Sequence, residues 1–237
     1  MIVTIHQPEH MPWLGFFDKL RQADTFVILD NVQFRKNYFQ NRNKIRTQQG
    51  WIWLTVPVLA KGKSSQLIQD AQINNAVNWQ STLWKSIFYA YNKASFFEKY
   101  GNFLKQIYDK QWTYLADLNE EIIRHVINEL GIKVKIVMAS TLEVTGGGTD
   151  LLLEICQKLN ADTYLSGISG KDYLEESRFT EQGIKVIYQE FYHPIYKQVY
   201  EPFIPCMSII DLLFNHGDKS LDILKGIGVE RMDTLFE

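Results

Sequence analysis

The stretch His6-Gln7-Pro8-Glu9-His10-Met11-Pro12-Trp13-Leu14-Gly15 packs two histidines and a glutamate into five residues. Imidazole titrates near neutral pH, so His6 or His10 could act as a general base or stabilise developing negative charge. Gln7 and the backbone up to Gly15 offer donors where a helix opens, a favourable place for phosphate. Trp13 could wall a pocket. A rigid, proline-bounded turn whose histidines cap the helix explains the same residues without chemistry. No other part of the chain carries complementary His, Cys or carboxylate spacing, so no metal site is expected.

A second candidate is a charge asymmetry. Residues 31–69 contain Arg35, Lys36, Arg42, Lys44, Arg46, Lys61 and Lys63 and no acid. Arginine forks suit phosphate oxygens and lysine adds a point charge. Gln33, Asn37, Asn41 and Arg42 would add direction. Tyr38, Phe39, Trp51 and Trp53 interleave aromatics with this charge, as in stacking sites for single-stranded nucleic acid. An ordinary solvated basic face is the plainer alternative.

Two glycine-bearing loops precede helices. Thr145-Gly146-Gly147-Gly148-Thr149-Asp150 lacks both the Lys-Ser/Thr ending of a P-loop and the GxGxxG spacing. Ser166-Gly167-Ile168-Ser169-Gly170-Lys171-Asp172-Tyr173 follows an apolar strand. There Ser166, Gly167, Ser169, Gly170 and Lys171 could hold a diphosphate or triphosphate, and Tyr173 could border the pocket. Further on, His193, Tyr196 and His216 lie in or beside aromatic, proline-bounded segments that could line a substrate pocket. Ser208-Ile209-Ile210-Asp211 has the form of a capping box with Asp for Glu. Cys206 has no base partner in sequence, and Cys156 reads as core.

The elements that must position these residues alternate. Met1–Ile5 reads as a buried strand, Leu14–Gln22 as a helix and Thr25–Leu29 as a second strand, a βαβ unit that implies a parallel sheet. Lys44–Thr47 and Trp51–Val56 read as a hairpin, and 60–65 as a polar loop. Asn78–Ala90, Phe96–Lys110 and Tyr114–Leu130 have helical periodicity, with Ser95 and Thr113 at N-cap positions and Gly131 at a C-cap. Alternation resumes with strands at Lys133–Met138, Thr163–Ser166 and Lys185–Glu190 and helices at Asp150–Leu159 and Leu174–Gln182. Helices at Ser208–Asn215 and Ser220–Leu224 close the chain. The expected fold is α/β, a doubly wound, mostly parallel Rossmann-like sheet with a β-hairpin. One domain would span 1–237, with a helical insertion over 74–131.

The 237 residues are 46% hydrophobic and 22% charged, with a formal net charge of −2. That composition excludes a disordered or collagenous chain. The global charge gives no reason to expect nucleic-acid or membrane-surface binding. No apolar run approaches the ~20 residues of a membrane helix, and no signal peptide is evident. Two cysteines imply reduced thiols and a cytoplasmic location. The oligomeric state stays open.

The stretches IHQPEHMPWLGFFDKL, ADTFVILDNVQFRKNYFQNRNKI, the LSGxSGKDYLEE segment at 165–176 and FYHPIYKQVYEPFIPCMSIIDLLFNHG at 191–217 resemble the WbqC-like family of bacteria. That resemblance implies a role near surface-polysaccharide (O-antigen) assembly and a nucleotide-activated amino-sugar substrate. The transfer it implies is aminoacyl, with glycyl one candidate group; a transfer-RNA donor would account for the basic, aromatic residues 31–69, which a nucleotide alone would equally suit. A weaker resemblance, in loop placement, is to HIGH-type nucleotidylyltransferases, and Gly170-Lys171-Asp172-Tyr173 is similar to a segment of pantothenate synthetases. The histidine spacing departs from the HIGH pattern, and Gly15 is not followed by His. Three functions therefore stand: aminoacyl transfer, nucleotidyl transfer with pyrophosphate release, and nucleotide or sugar binding without turnover. No tightly bound cofactor is expected, and Mg²⁺ would arrive with a nucleotide. If His10 and Lys171 belong to the site, alanine at either should impair function and spare the melting temperature.

Overall fold

The computed structural model describes residues 1–63 and 65–233; within the polar loop 60–65, Ser64 lies outside the described residues. In chain order, β1 (Ile2–His6) leads through a loop into α1 (Leu14–Leu20) and β2 (Thr25–Ile28). A hairpin follows, β3 (Arg42–Thr47) and β4 (Gly50–Thr55), then α2 (Trp79–Tyr91), α3 (Phe97–Asp109) and α4 (Leu115–Glu129). The alternation resumes with β5 (Lys135–Met138), α5 (Thr149–Lys158), β6 (Thr163–Ser166), α6 (Glu176–Glu181) and β7 (Lys185–Tyr188). The last elements are β8 (Tyr192–Pro194), α7 (Ile209–His216), α8 (Ser220–Leu224) and β9 (Arg231–Asp233).

The five-stranded sheet runs β5-β2-β1-β6-β7, and every pairing in it is parallel. This is the expected α/β, Rossmann-like arrangement. The register sets Val3 beside Thr25 and Ile2 beside Thr163, so β1 lies at the centre. A strand buried on both faces needs apolar side chains on both, and β2 shows this: Thr25, Phe26, Val27 and Ile28 are all buried. Phe26 and Ile28 join Phe16, Phe17 and Leu20 of α1 in one core, which extends into α2, α3, α4 and α7. Val27 joins Val3 and Ile5 of β1, Leu151, Leu152 and Ile155 of α5, and Phe179 of α6 on the opposite face.

That two-sided burial follows from strand order. Going from β1 to β2 to β5 the chain moves one way across the sheet; from β6 to β7 it moves the other way. Right-handed crossovers in opposite directions put their helices on opposite faces. In open α/β sheets the ligand-binding crevice lies at such a reversal, which here falls outside the carboxyl ends of β1 and β6.

Some local details differ from the sequence reading. Helix α3 is preceded by Phe96 and α4 by Tyr114, neither with a side-chain cap, so Ser95 and Thr113 lie one residue outside. The Thr113 carbonyl instead accepts from the Ile73 N–H at 2.9 Å. Gly131 follows α4 at φ +66°, the left-handed conformation that ends a helix. Helix α6 starts at Glu176 rather than Leu174, because Ile168–Asp172 form a 3₁₀ turn whose Gly170 carbonyl accepts from the Leu174 N–H.

The capping box at Ser208 is half formed. Ser208 Oγ accepts from the Ile210 N–H at 3.5 Å, but Asp211 turns inward. Its carboxylate accepts from Tyr91 Oη and Tyr196 Oη, both at 2.9 Å, and from Gln198 Nε2 at 2.8 Å.

Candidate active site

The loop after β1 is fixed from several sides. Gly15 has no room for a side chain, since a Cβ there would lie 2.3 Å from the Trp13 ring. Gln7 Oε1 accepts from Gln40 Nε2 at 2.6 Å, and Gln40 Oε1 accepts from the Arg35 N–H at 2.7 Å. The segment after β2 is thereby bound to the segment after β1.

His6 stands at the carboxyl end of β1 with its side chain one-third exposed. Its Nδ1 lies 3.0 Å from the Gln7 carbonyl, which can only accept, so Nδ1 carries the hydrogen and Nε2 a lone pair. Burial, reinforced by the positive charge of Lys19, holds the ring well below its ordinary pKa, and it is neutral at physiological pH. The Glu9 carboxylate oxygen Oε1 approaches His6 Nδ1 at 3.9 Å.

Near His6 lie Glu9, the carboxylate of the same motif, and Lys19, which the sequence does not single out. Lys19 on α1 is buried, and its ammonium donates to the Ile5 carbonyl at 3.4 Å. A Cβ on Gly167 would come within 4.0 Å of Lys19 Nζ, so the ammonium spans from the end of β1 to the loop after β6. Burial lowers Lys19 to about 8, against the opposing effect of Glu9. Burial raises Glu9 to about 8, against the opposing effect of Lys19. Glu9 Oε2 is buried with no hydrogen-bond partner. Burial works against the charge of both groups, and their mutual attraction works for it.

His10 points elsewhere. It is fully buried, with Nδ1 3.2 Å from Asn119 Oδ1 and Nε2 3.3 Å from Tyr108 Oη. Asn119 of α4 spends its amide hydrogens on the Gln40 carbonyl at 2.8 Å and the Pro8 carbonyl at 3.4 Å. The two histidines of the first motif are therefore separated, His6 at the carboxyl end of the central strand and His10 among the helices.

The loop after β6 borders the crevice. Ser166 is buried and Gly170 packs against it; a Cβ on Gly170 would meet Ser166 Oγ at 2.1 Å. Ser169, Lys171 and Tyr173 are exposed, and Lys171 Nζ lies 5.3 Å from the centre of the Tyr188 ring. The loop before α5 is filled from within: Glu154 Oε2 accepts from the N–H groups of Thr145 and Gly146 at 3.1 and 3.3 Å.

The basic segment divides. Arg35, Lys36 and Gln33 are exposed near the first loop. Asn41 is structural, donating from Nδ2 to the Val56 carbonyl at 2.8 Å while Oδ1 accepts from the Asn37 N–H. Arg46 is buried and donates to the Gly50 and Pro202 carbonyls at 2.7 and 2.9 Å. On the hairpin, Arg42 lies 4.2 Å over Trp53 and Lys44 4.6 Å over Trp51, an alternating ladder of cations and indoles.

The C-terminal aromatics gather into a packed cluster joined to the first loop by Trp13. Trp13 stacks with His193 at 6.4 Å, and His193 with Tyr196 at 6.3 Å. His193 is buried; Nδ1–H donates to the Pro194 carbonyl at 2.8 Å and Nε2 accepts from the Cys206 N–H at 3.1 Å. His216 meets Tyr196 edge-on at 5.6 Å, and its Nε2 lies 2.9 Å from the Lys197 carbonyl. Burial lowers its pKa, against the Lys197 carbonyl, which works to raise it. Among the described residues no group of three or more His, Cys, Asp or Glu is placed to hold a metal ion, and no helix is long and apolar enough to cross a membrane.

Comparison with known proteins agrees with the motifs. The model of the WbqC-like protein family matches residues 7–223, which include both crevice loops and the C-terminal cluster. The uncharacterized protein Rv1507c of Mycobacterium tuberculosis is 35% identical over 225 residues, covering 94% of this chain and 97% of that one. No solved structure matches. With a family model spanning nearly the whole chain and a relative similar from end to end, the chain belongs to the WbqC-like protein family.

Proposed function

We propose that the protein is a transferase of bacterial surface-polysaccharide assembly that acts on a nucleotide-activated amino sugar in the crevice between β1 and β6. The transferred group in this reading is aminoacyl, with glycyl the leading candidate. The supporting observation is the convergence of the His6 loop and the Ser166–Tyr173 loop at the reversal of strand order, where open α/β sheets bind ligands. Membership of the WbqC-like family supports the polysaccharide context.

The chemistry follows from the tautomer of His6. An amino-sugar nitrogen must lose a proton to attack an activated carbonyl carbon. His6 presents a lone pair at Nε2 and can take that proton as the C–N bond forms. The same proton can then pass to the oxygen that leaves as the C–O bond to the donor breaks. Gln7, Gly167, Ser169 and Lys171 border the nucleotide in this reading, with Arg35 and Lys36 on the approach. The cation–indole ladder of Arg42, Lys44, Trp51 and Trp53 favours a polyanionic donor with stacking bases, an aminoacyl transfer RNA.

The test is a thermal-shift panel of nucleoside-diphosphate amino sugars, charged transfer RNA and nucleoside triphosphates with and without Mg²⁺, followed by mass spectrometry of the sugar. A ligand at about 100 times its Kd stabilises by roughly 2.7 kcal/mol. Stabilisation by a nucleotide sugar and mass gain on its amine are expected. Stabilisation by triphosphate alone, with pyrophosphate released, would replace this reading with nucleotidyl transfer.

A further inference from the structure

The buried ammonium of Lys19 has no use in the function just described. A lysine taken out of water is costly unless its charge is paired and its donors are satisfied. Lys19 carries three donors, and its one hydrogen bond among the described residues is the 3.4 Å contact to the Ile5 carbonyl. No carboxylate among the described residues closes a salt bridge with it. Asp18 beside it is already occupied, accepting from Arg21 at 2.6 Å and from Gln22 and Gln189 at 2.8 Å. Glu9, the acid whose charge Lys19 feels, has a buried oxygen with no partner of its own.

These unspent groups lie on the ligand side of the sheet. Lys19 reaches the carboxyl end of β1, and above its ammonium stands Gly167, a residue with no side chain to cover it. His6, one-third exposed, stands over the same corner. We propose that this corner is an anion subsite in which the Lys19 ammonium binds a phosphoryl group of the ligand, entering between His6 and Gly167. The proposal deepens the reading of a nucleotide-linked substrate and assigns its phosphoryl end.

Electrostatics agrees with the geometry. Burial pushes Glu9 toward its neutral form, in which its O–H is a donor rather than a repelling charge. An anion on Lys19 also offsets the charge that helps hold His6 unprotonated, so ligand binding makes His6 a stronger base.

The probe is inorganic pyrophosphate, measured by calorimetry and thermal shift at constant ionic strength, with malonate as a carboxylate control. Wild type is expected to bind pyrophosphate, and Lys19→Met to bind it at least tenfold more weakly. Gly167→Val, which has room for its Cβ, is expected to cap the ammonium and weaken binding similarly, and it decides the matter if Lys19→Met does not fold. No pyrophosphate binding by wild type, wild-type affinity in a folded variant, or equal Lys19-dependent binding of malonate would overturn the phosphoryl subsite. Nucleotide-sugar binding that survives Lys19→Met unchanged would overturn the subsite and leave the transferase reading standing. Pyrophosphate binding through Lys19 with no nucleotide-sugar binding would do the reverse.

Discussion

Asn119 Oδ1 lies 3.2 Å from His10 Nδ1, joining α4 to a loop 109 residues earlier in the chain. With its amide hydrogens on the Pro8 and Gln40 carbonyls, one side chain buttresses both strands of backbone beside the crevice. Replacing Asn119 with Ala orphans Nδ1 of a buried imidazole and two carbonyls. The expected cost is about 2–3 kcal/mol, read by denaturant unfolding. A loss within 0.5 kcal/mol would mean that water or a rearranged loop replaces these bonds. His10→Ala, which also opens a buried space beside Tyr108, is expected to lower the melting temperature rather than spare it.

Acid should destabilise the protein in a definite window. Burial lowers His10 and His193 to about 4, so the native state keeps them neutral where the unfolded chain protonates them. Their contribution is fully present above pH 6.5 and is lost as pH falls toward about 4, roughly 3 kcal/mol each at the extreme. Glu9, raised to about 8, works in the opposite direction between 4.5 and 8, and three imidazoles, with His6 lowered further than the other two, outweigh it. Melting temperatures from pH 7 to 4.5 are expected to fall steadily, and less steeply in His193→Gln. A flat profile would contradict the burial of these rings.

The pairing of Gly170 with Ser166 is steric. Gly170→Ala puts a methyl into Ser166 Oγ and within 2.9 Å of Leu174 Cδ1, an overpacking expected to cost about 1–3 kcal/mol. Ser166→Ala removes the clashing oxygen, so the double variant should recover part of that loss. Strict additivity in a double-mutant cycle would show that the two residues do not meet.

Asp211 gathers three donors in a buried setting, and Tyr91 Oη, which donates to it, also accepts from the Arg46 N–H at 2.9 Å. Asp211→Leu leaves two tyrosine hydroxyls and one of the two N–H groups of the Gln198 amide without an acceptor, the other still donating to the Ile204 carbonyl. A loss of roughly 3–5 kcal/mol is expected, read by thermal or urea unfolding, with Asp211→Asn milder.

Lys171 is exposed, with its ammonium 5.3 Å from the centre of the Tyr188 ring. Lys171→Ala is expected to change stability by less than about 0.5 kcal/mol. If it holds phosphate, the same change weakens nucleotide-sugar binding severalfold. Unchanged affinity would remove Lys171 from the site.

Much of the sheet was legible because a strand buried on both faces must be a short apolar run, as Ile2–Ile5 and Phe26–Leu29 are. Loop positions were legible from Pro8, Pro12 and the glycines that stop those runs. Lys19 was not. In α1 the apolar positions 14, 16, 17 and 20 leave Asp18 and Lys19 on what reads as the wet side. Because α1 is only one element deep between sheet, loops and helices, all its residues are buried. His10 and His193 were equally opaque: a histidine held by Asn119, or by the Cys206 N–H, has no local signature distinguishing it from a catalytic one. Asp211 read as a cap because its partners Tyr91, Tyr196 and Gln198 lie 120, 15 and 13 residues away, outside any local capping pattern.

The central place of β1 has a consequence for biosynthesis. Thr4 Oγ1 bonds the Leu165 carbonyl across 161 residues, while the β2 partner of the same strand follows almost at once. On the ribosome, β1 can dock on β2 early, but its other edge stays unpaired until β6 emerges, on the order of ten to thirty seconds later at ordinary elongation rates. Through that interval the nascent chain presents an open hydrogen-bonding edge of apolar, β-branched residues, the kind of surface that chaperones hold and that crowded translation exposes to misassembly.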